Sequence, residues 1–112
     1  MKTLFEKIID RELPADIIYE NEKVIVIKDK FPKAPVHLLI ITKKVIPSFQ
    51  EISASDLPLI GECMEVARKM ANQFNLVSNG YRLLVNNGTD AGQTIFHLHF
   101  HLLGGHTLGE MG

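Results

Sequence analysis

Residues 97–105 read His97-Leu98-His99-Phe100-His101-Leu102-Leu103-Gly104-Gly105, three of the chain's five histidines at every second position with apolar residues between them. Side chains of a β-strand alternate faces. The spacing therefore predicts a strand over 94–103 whose histidines project from one face at intervals of roughly 6.6 to 7 Å. Phe96, Leu98, Phe100 and Leu102 fill the other face, which needs an apolar cover. Leu59, Ile60, Cys63, Met64, Val66, Ala67, Met70 and Phe74 supply one, tracing a single face of a long helix. Ser55 or Asp56 is its N-cap, and Pro58 is tolerated in the first turn.

The remaining segments extend the same sheet. Runs rich in β-branched residues at 16–20 and 23–28 form a hairpin around Asn21-Glu22, a turn without glycine. A third strand, 36–42, follows the Pro32 and Pro35 interruption, and a fourth covers 81–86. Thr3 followed by Glu6 is a capping-box pattern, and Leu4, Phe5, Ile8 and Ile9 recur at helical spacing, so residues 3–12 form a short amphipathic helix closed by Leu13-Pro14. The expected fold class is α+β: a five-stranded antiparallel sheet, a short N-terminal helix, and one long helix crossing between strands three and four. Without repeats or linkers, residues 1–112 are expected to form a single domain.

Composition narrows the function. At 112 residues and 46% hydrophobic, the chain can bury an ordinary core without disulfides or a structural metal. Twelve basic against 13 acidic residues leave a net charge of -1, with no broad basic field for a nucleic-acid partner. The lone Cys63 has no disulfide partner, and the N-terminus meets charge before any signal-like apolar run develops. No apolar run approaches the length of a membrane span. These features imply a soluble, cytoplasmic protein with no membrane partner.

Three readings of the histidine face compete. It is a set of satisfied surface histidines, although Thr, Lys or Glu would serve solubility more simply. It is a zinc site using two alternate histidines and a further ligand such as His37, although three histidines in line reach one tetrahedral ion poorly. Or it is a catalytic array: a neutral imidazole attacks phosphorus, and neighbouring imidazoles donate hydrogen bonds to the phosphoryl oxygens. The preceding loop, Asn86-Asn87-Gly88-Thr89-Asp90-Ala91-Gly92-Gln93-Thr94, is read either as an anion-cradling turn or as a plain interstrand turn.

The segment GYRLLVNNGTDAGQTIFHLHFHLLGG (80–105), with Asp29-Lys30-Phe31-Pro32-Lys33-Ala34-Pro35-Val36-His37, resembles the histidine triad (HIT) family in its nucleotide-binding (Hint) branch. The likeness runs from about Ile8 to the C-terminus. Gly104-Gly105 favours that branch over the dinucleoside polyphosphate hydrolases, where a Leu-Pro-Arg type ending is more usual.

The resemblance implies a purine nucleoside phosphoramidase that cleaves the P–N bond of AMP–amine or AMP–lysine adducts without a cofactor or metal. The alternative is a nucleotide-sensing or scaffold module with little catalysis of its own. His99 matches the nucleophile, flanked by His101 and His97, and His37 completes the imidazole cluster. Asn86, Gly92, Gln93 and Thr94 match positions that hold the phosphate or leaving group, and Asp29 matches the carboxylate that receives the ribose hydroxyls. Lys30 stands where a branched aliphatic residue usually lies against the purine, and its methylene stem can take that place. His106 replaces a common arginine. The resemblance also implies a homodimer whose two sheets join, and the long helix carries apolar or small residues at Leu57, Ile60, Cys63, Met64, Ala67 and Ala71 over more than one face.

Overall fold

The computed structural model describes residues 1–111, so Gly112, the last residue of the expected domain, lies outside the described residues. Its elements are α1 (Leu4–Ile9), β1 (Ile17–Glu20), β2 (Val24–Lys28), β3 (Val36–Thr42), α2 (Leu57–Gln73), β4 (Tyr81–Leu84) and β5 (His99–Gly104). The five strands form one sheet in the order β1-β2-β3-β5-β4, with every neighbouring pair antiparallel. The long helix joins β3 to β4, as expected from the sequence.

Strand alternation sorts the core into two layers. Val24, Val26, Leu38, Ile40, Leu98, Phe100 and Leu102 pack on one face with Cys63, Val66, Ala67, Met70 and Ala71 of α2. Ile25, Ile27, Leu39 and Ile41 face the other way and are covered by Phe5 and Ile8 of α1. Each such buried aliphatic contributes about 1.5–3 kcal/mol relative to exposure. The six-residue α1 is too short to persist alone and depends on this docking. Of the apolar or small residues expected to spread over more than one helix face, Cys63, Ala67 and Ala71 are buried against the chain's own sheet, whereas Leu57 is 60% exposed.

Several expected boundaries shift. The N-terminal helix stops at Ile9 instead of residue 12, because Asp10 caps it and Arg11 adopts a left-handed φ of 63°. In the glycine-free hairpin, the Asn21 side-chain oxygen accepts the N–H groups of both Lys23 and Val24 at 2.8 Å and closes the turn. Asp56 occupies the N-cap position of α2 without capping it, since its carboxylate binds Lys44 Nζ at 2.6 Å and Ser53. The fourth strand ends at Leu84 instead of 86.

The fifth strand begins at His99 instead of 94, and the cause lies in its partner. β3 pairs Ile41 with His99 and ends at Thr42, so His97 has no ladder position opposite it. Residues 94–98 instead bridge to the following loop, with Leu98 N–H donating to Ile46 O at 2.7 Å. Phe96, expected on the helix-covered face, is 46% exposed, while Leu98 is buried there as expected.

Candidate active site

His99 and His101 stand on β5 with ring centroids 5.1 Å apart, and His37 on β3 lies 5.2 Å from His101. The hydrogen bonds assign a tautomer to each ring, because an amide N–H can only donate and a carbonyl can only accept. Lys33 N–H donates to His37 Nδ1 at 3.1 Å, so neutral His37 carries its proton on Nε2. That Nε2–H faces His101 Nδ1 at 2.9 Å, with Asp29 Oδ2 at 3.4 Å. His101 Nδ1 is thus an acceptor, and the His101 proton sits on Nε2.

His99 is held the other way round. Its Nδ1–H donates to the His97 carbonyl at 2.7 Å, which leaves Nε2 bare. Two adjacent imidazoles therefore differ in role: His99 offers a lone pair and His101 an N–H.

His97 does not line either cavity near the cluster. It is fully buried, and its Nε2–H donates to Thr42 O at 2.6 Å while Nδ1 meets Thr3 Oγ1 at 2.8 Å. Alternate spacing thus places His99 and His101 at the open site and His97 beneath it.

Burial lowers the pKa of all four histidines. It is the largest cause at His37, His97 and His99, and at His101 it acts with the neighbouring His99 and His37 to push the value to about 4. At pH 7 the cluster is neutral, the state a nitrogen nucleophile needs.

A cavity of about 890 Å³ opens onto this array. Asp29, Lys30, Asn86, Gly92, Gln93, Thr94, His99 and His101, all singled out from sequence, line it together. Leu4, Phe5 and Ile8 of α1, read from the sequence only as the apolar face of a short helix, form a wall, and Phe31, 73% exposed, forms another. Nothing in their helical or loop spacing distinguishes a cavity wall from a core face. A smaller cavity of about 340 Å³ adjoins it through Asp29, Phe31, Asn86 and His101, and adds Lys33 and His37.

The loop is a built structure. A short 3₁₀ turn, Thr89–Ala91, lies between Gly88 and Gly92, which have φ of 86° and 91°. The N–H groups of Ala91 and Gln93 donate to Gly88 O, and that of Gly92 donates to Thr89 O. Gln93 is 4% exposed, its Oε1 accepting Gly88 N–H at 2.8 Å and its Nε2 donating to Pro47 O and Ile95 O. Its carboxamide is thus spent on holding the loop, and the amides at 91–93 are spent within it.

Asp29 Oδ1 accepts Phe31 N–H at 2.8 Å, and its Oδ2 lies toward His37. Asp29, His37 and His101 also bring three possible metal-ligand atoms within 4.8 Å of one another. This set differs from the alternate-histidine zinc site, because it takes only one histidine of β5, His101, and adds the carboxylate of Asp29.

The chain matches known proteins over nearly its whole length. It is 51% identical over 111 residues to an uncharacterised HIT-like protein of Chlamydia trachomatis, covering 99% of each. It is 43% identical to the purine nucleoside phosphoramidase of Escherichia coli K12, covering 98% of this chain and 92% of that one. Among solved structures, a HIT family hydrolase from Clostridium thermocellum superposes with a TM-score of 0.94 at 48% identity, covering 98% of this chain and 96% of that one. The HIT domain profile spans residues 10–108, and the chain belongs to the HIT family.

Proposed function

We propose that the protein is a hydrolase, a metal-independent purine nucleoside phosphoramidase working through a nucleotidyl-His99 intermediate. The observation that carries this reading is the bare Nε2 of His99, oriented by the His97 carbonyl, beside the Nε2–H of His101 at the wall of a nucleotide-sized cavity. The 43% identical phosphoramidase supports the substrate class.

In the first step His99 Nε2 forms a bond to the α-phosphorus as the P–N bond to the amine breaks. The departing amine takes its proton from solvent, while the neutral His101 ring keeps its Nε2–H and donates a hydrogen bond to the phosphoryl group. The nucleotidylated His99 ring is cationic, because Nδ1 keeps its proton, and the His97 carbonyl stabilises that charge. Water then attacks phosphorus, the N–P bond breaks with its electron pair returning to His99 Nε2, and the water proton is released to solvent with the nucleoside monophosphate.

Asp29 receives the ribose hydroxyls through its remaining lone pairs. Lys30 and Phe31 cover the base, while Asn86, Gly92 and Thr94 border the phosphate and leaving group, with Gln93 holding the loop that carries them. Residues 1–112 act as one cytoplasmic domain, without a nucleic-acid or membrane partner. Two such domains pair as a homodimer whose sheets join, a reading supported by the edge position of β4 and the exposed Leu57. Among the described residues, no helix is long and apolar enough to cross a membrane.

Hydrolysis of an AMP–lysine phosphoramidate by wild type and His99→Ala, with a chelator present, tests the assignment. Wild-type turnover, an acid-quenched AMP adduct on the chain, and loss of both in the variant are expected. A folded, AMP-binding wild type without turnover would leave a nucleotide-binding module, and activity abolished by the chelator would assign Asp29, His37 and His101 to a metal.

A further inference from the structure

The geometry points to Thr3 as a positioning residue for the nucleophile, acting through buried His97 and coupling the docking of α1 to the orientation of His99. The inference rests on the reading of His99 as nucleophile. Thr3 is the N-cap of α1, and its Oγ1 accepts Glu6 N–H at 3.0 Å while Glu6 Oε1 accepts Thr3 N–H at 2.9 Å. The same hydroxyl lies 2.8 Å from His97 Nδ1.

His97 Nε2 faces only a carbonyl, Thr42 O, so it must carry the proton, and Nδ1 must accept. The Thr3 O–H is the matching donor. One hydroxyl therefore accepts from the helix and donates to His97, which uses all of its hydrogen-bonding direction in two specific bonds. No described side-chain polar atom at this depth is left without a partner.

The consequence passes to His99 by two routes. The His97 backbone carbonyl takes the His99 Nδ1–H, so the placement of residue 97 sets the lone pair of residue 99. Phe5, two residues after Thr3, packs edge-on against His99 at 4.9 Å between ring centroids and against His97 at 5.8 Å. The helix that Thr3 pins thus also supports the nucleophile's ring and walls the cavity through Leu4, Phe5 and Ile8. A threonine that served only as a helix cap would have no need to face a buried imidazole 94 residues away in the chain.

Three variants separate positioning from capping. Thr3→Val removes the hydroxyl at nearly constant volume, Thr3→Ser restores it, and Glu6→Ala weakens the capping box while leaving the Thr3–His97 bond. The readouts are kcat and KM for the AMP–lysine phosphoramidate, urea stability, and ¹⁵N NMR of the imidazole tautomers. In wild type the NMR is expected to show His97 protonated on Nε2 and His99 on Nδ1. Thr3→Val is expected to mix the His99 tautomers and lower kcat about tenfold, the scale of one buried donor lost. Thr3→Ser restores both, and Glu6→Ala costs stability without moving the His99 tautomer. Equal effects of Glu6→Ala and Thr3→Val on kcat and tautomer, or a Thr3→Val protein with wild-type tautomers, would overturn the proposal. Because the tautomers are read without substrate, that failure is distinct from a failure of the phosphoramidase reading, which would appear as absent wild-type turnover.

Discussion

Replacing His101 with glutamine should remove a defined share of the protein's sensitivity to acid. His101 is pushed from 6.5 to about 4 by burial and by the neighbouring His99 and His37. A histidine lowered in the folded state contributes stability that is complete above its unfolded pKa and is lost as pH falls through its folded pKa. The window therefore runs from about 6.5 down to about 4, and the interval corresponds to about 3 kcal/mol at full effect. Urea unfolding of wild type and His101→Gln at about pH 7.5 and about pH 4.5 spans most of that window, and the wild type should lose about 2 kcal/mol more than the variant. His37, His97 and His99 remain in both proteins, and the causes that lower them are burial and, at His37 and His99, neighbours other than His101. Subtracting the two pH dependences thus isolates His101 together with its coupling to His99 and His37. Parallel losses in the two proteins would refute the claim that this ring is held neutral, and with it the assignment of His101 as a neutral Nε2–H donor at pH 7.

Gln93→Ala should cost about 1–3 kcal/mol in urea unfolding, because it removes the partner of Gly88 N–H and of the Pro47 and Ile95 carbonyls, and it should raise KM more than it lowers kcat. Unchanged stability would show that the loop does not depend on this carboxamide. Gly105→Ala should destabilise by about 2 kcal/mol, since residue 105 has φ of 101° and a Cβ there would lie 2.9 Å from Pro35 Cβ. Gly61→Ala, in α2 with nothing within 4 Å of the added Cβ, should instead stabilise by about 1 kcal/mol; urea melts of the two read the contrast directly.

The fold was legible where a periodic pattern met a buried face. The stripe from Leu59 to Met70 and the alternation through Leu98, Phe100 and Leu102 had no other place to go once each face needed cover. The ends of elements were less legible because they depend on distant partners. Nothing near Thr94 signals that β3 stops at Thr42 and leaves residues 94–98 without a ladder. The short helix reads three residues too long at its C-terminal end because Arg11, an unremarkable helix former, takes a left-handed turn before Leu13-Pro14. At the site, the histidine spacing together with the family resemblance identified much of the lining of the cavity, but the division of labour was invisible. Gln93 has the chemistry of a phosphate ligand and is spent on the loop, while Thr3 and Phe5 read only as the cap and the apolar face of a short helix.

That division arises from the neighbours of identical side chains. One chain of hydrogen bonds starts at the Lys33 amide, passes through His37 and ends with a proton on His101 Nε2. Another runs from the His97 carbonyl to His99 Nδ1 and ends with a bare Nε2. Each starts at a backbone group, whose direction as donor or acceptor is set by the fold and does not titrate near neutral pH. A site needing a base and an acid in contact could separate their pKa values by charge, but like-charged rings at 5.1 Å would repel. Opposite tautomers instead place a lone pair beside a hydrogen-bond donor with both rings neutral. The sheet permits this because residues 99 and 101 share a face, while residue 97, beyond the end of β3, can turn its ring inward and its carbonyl toward His99.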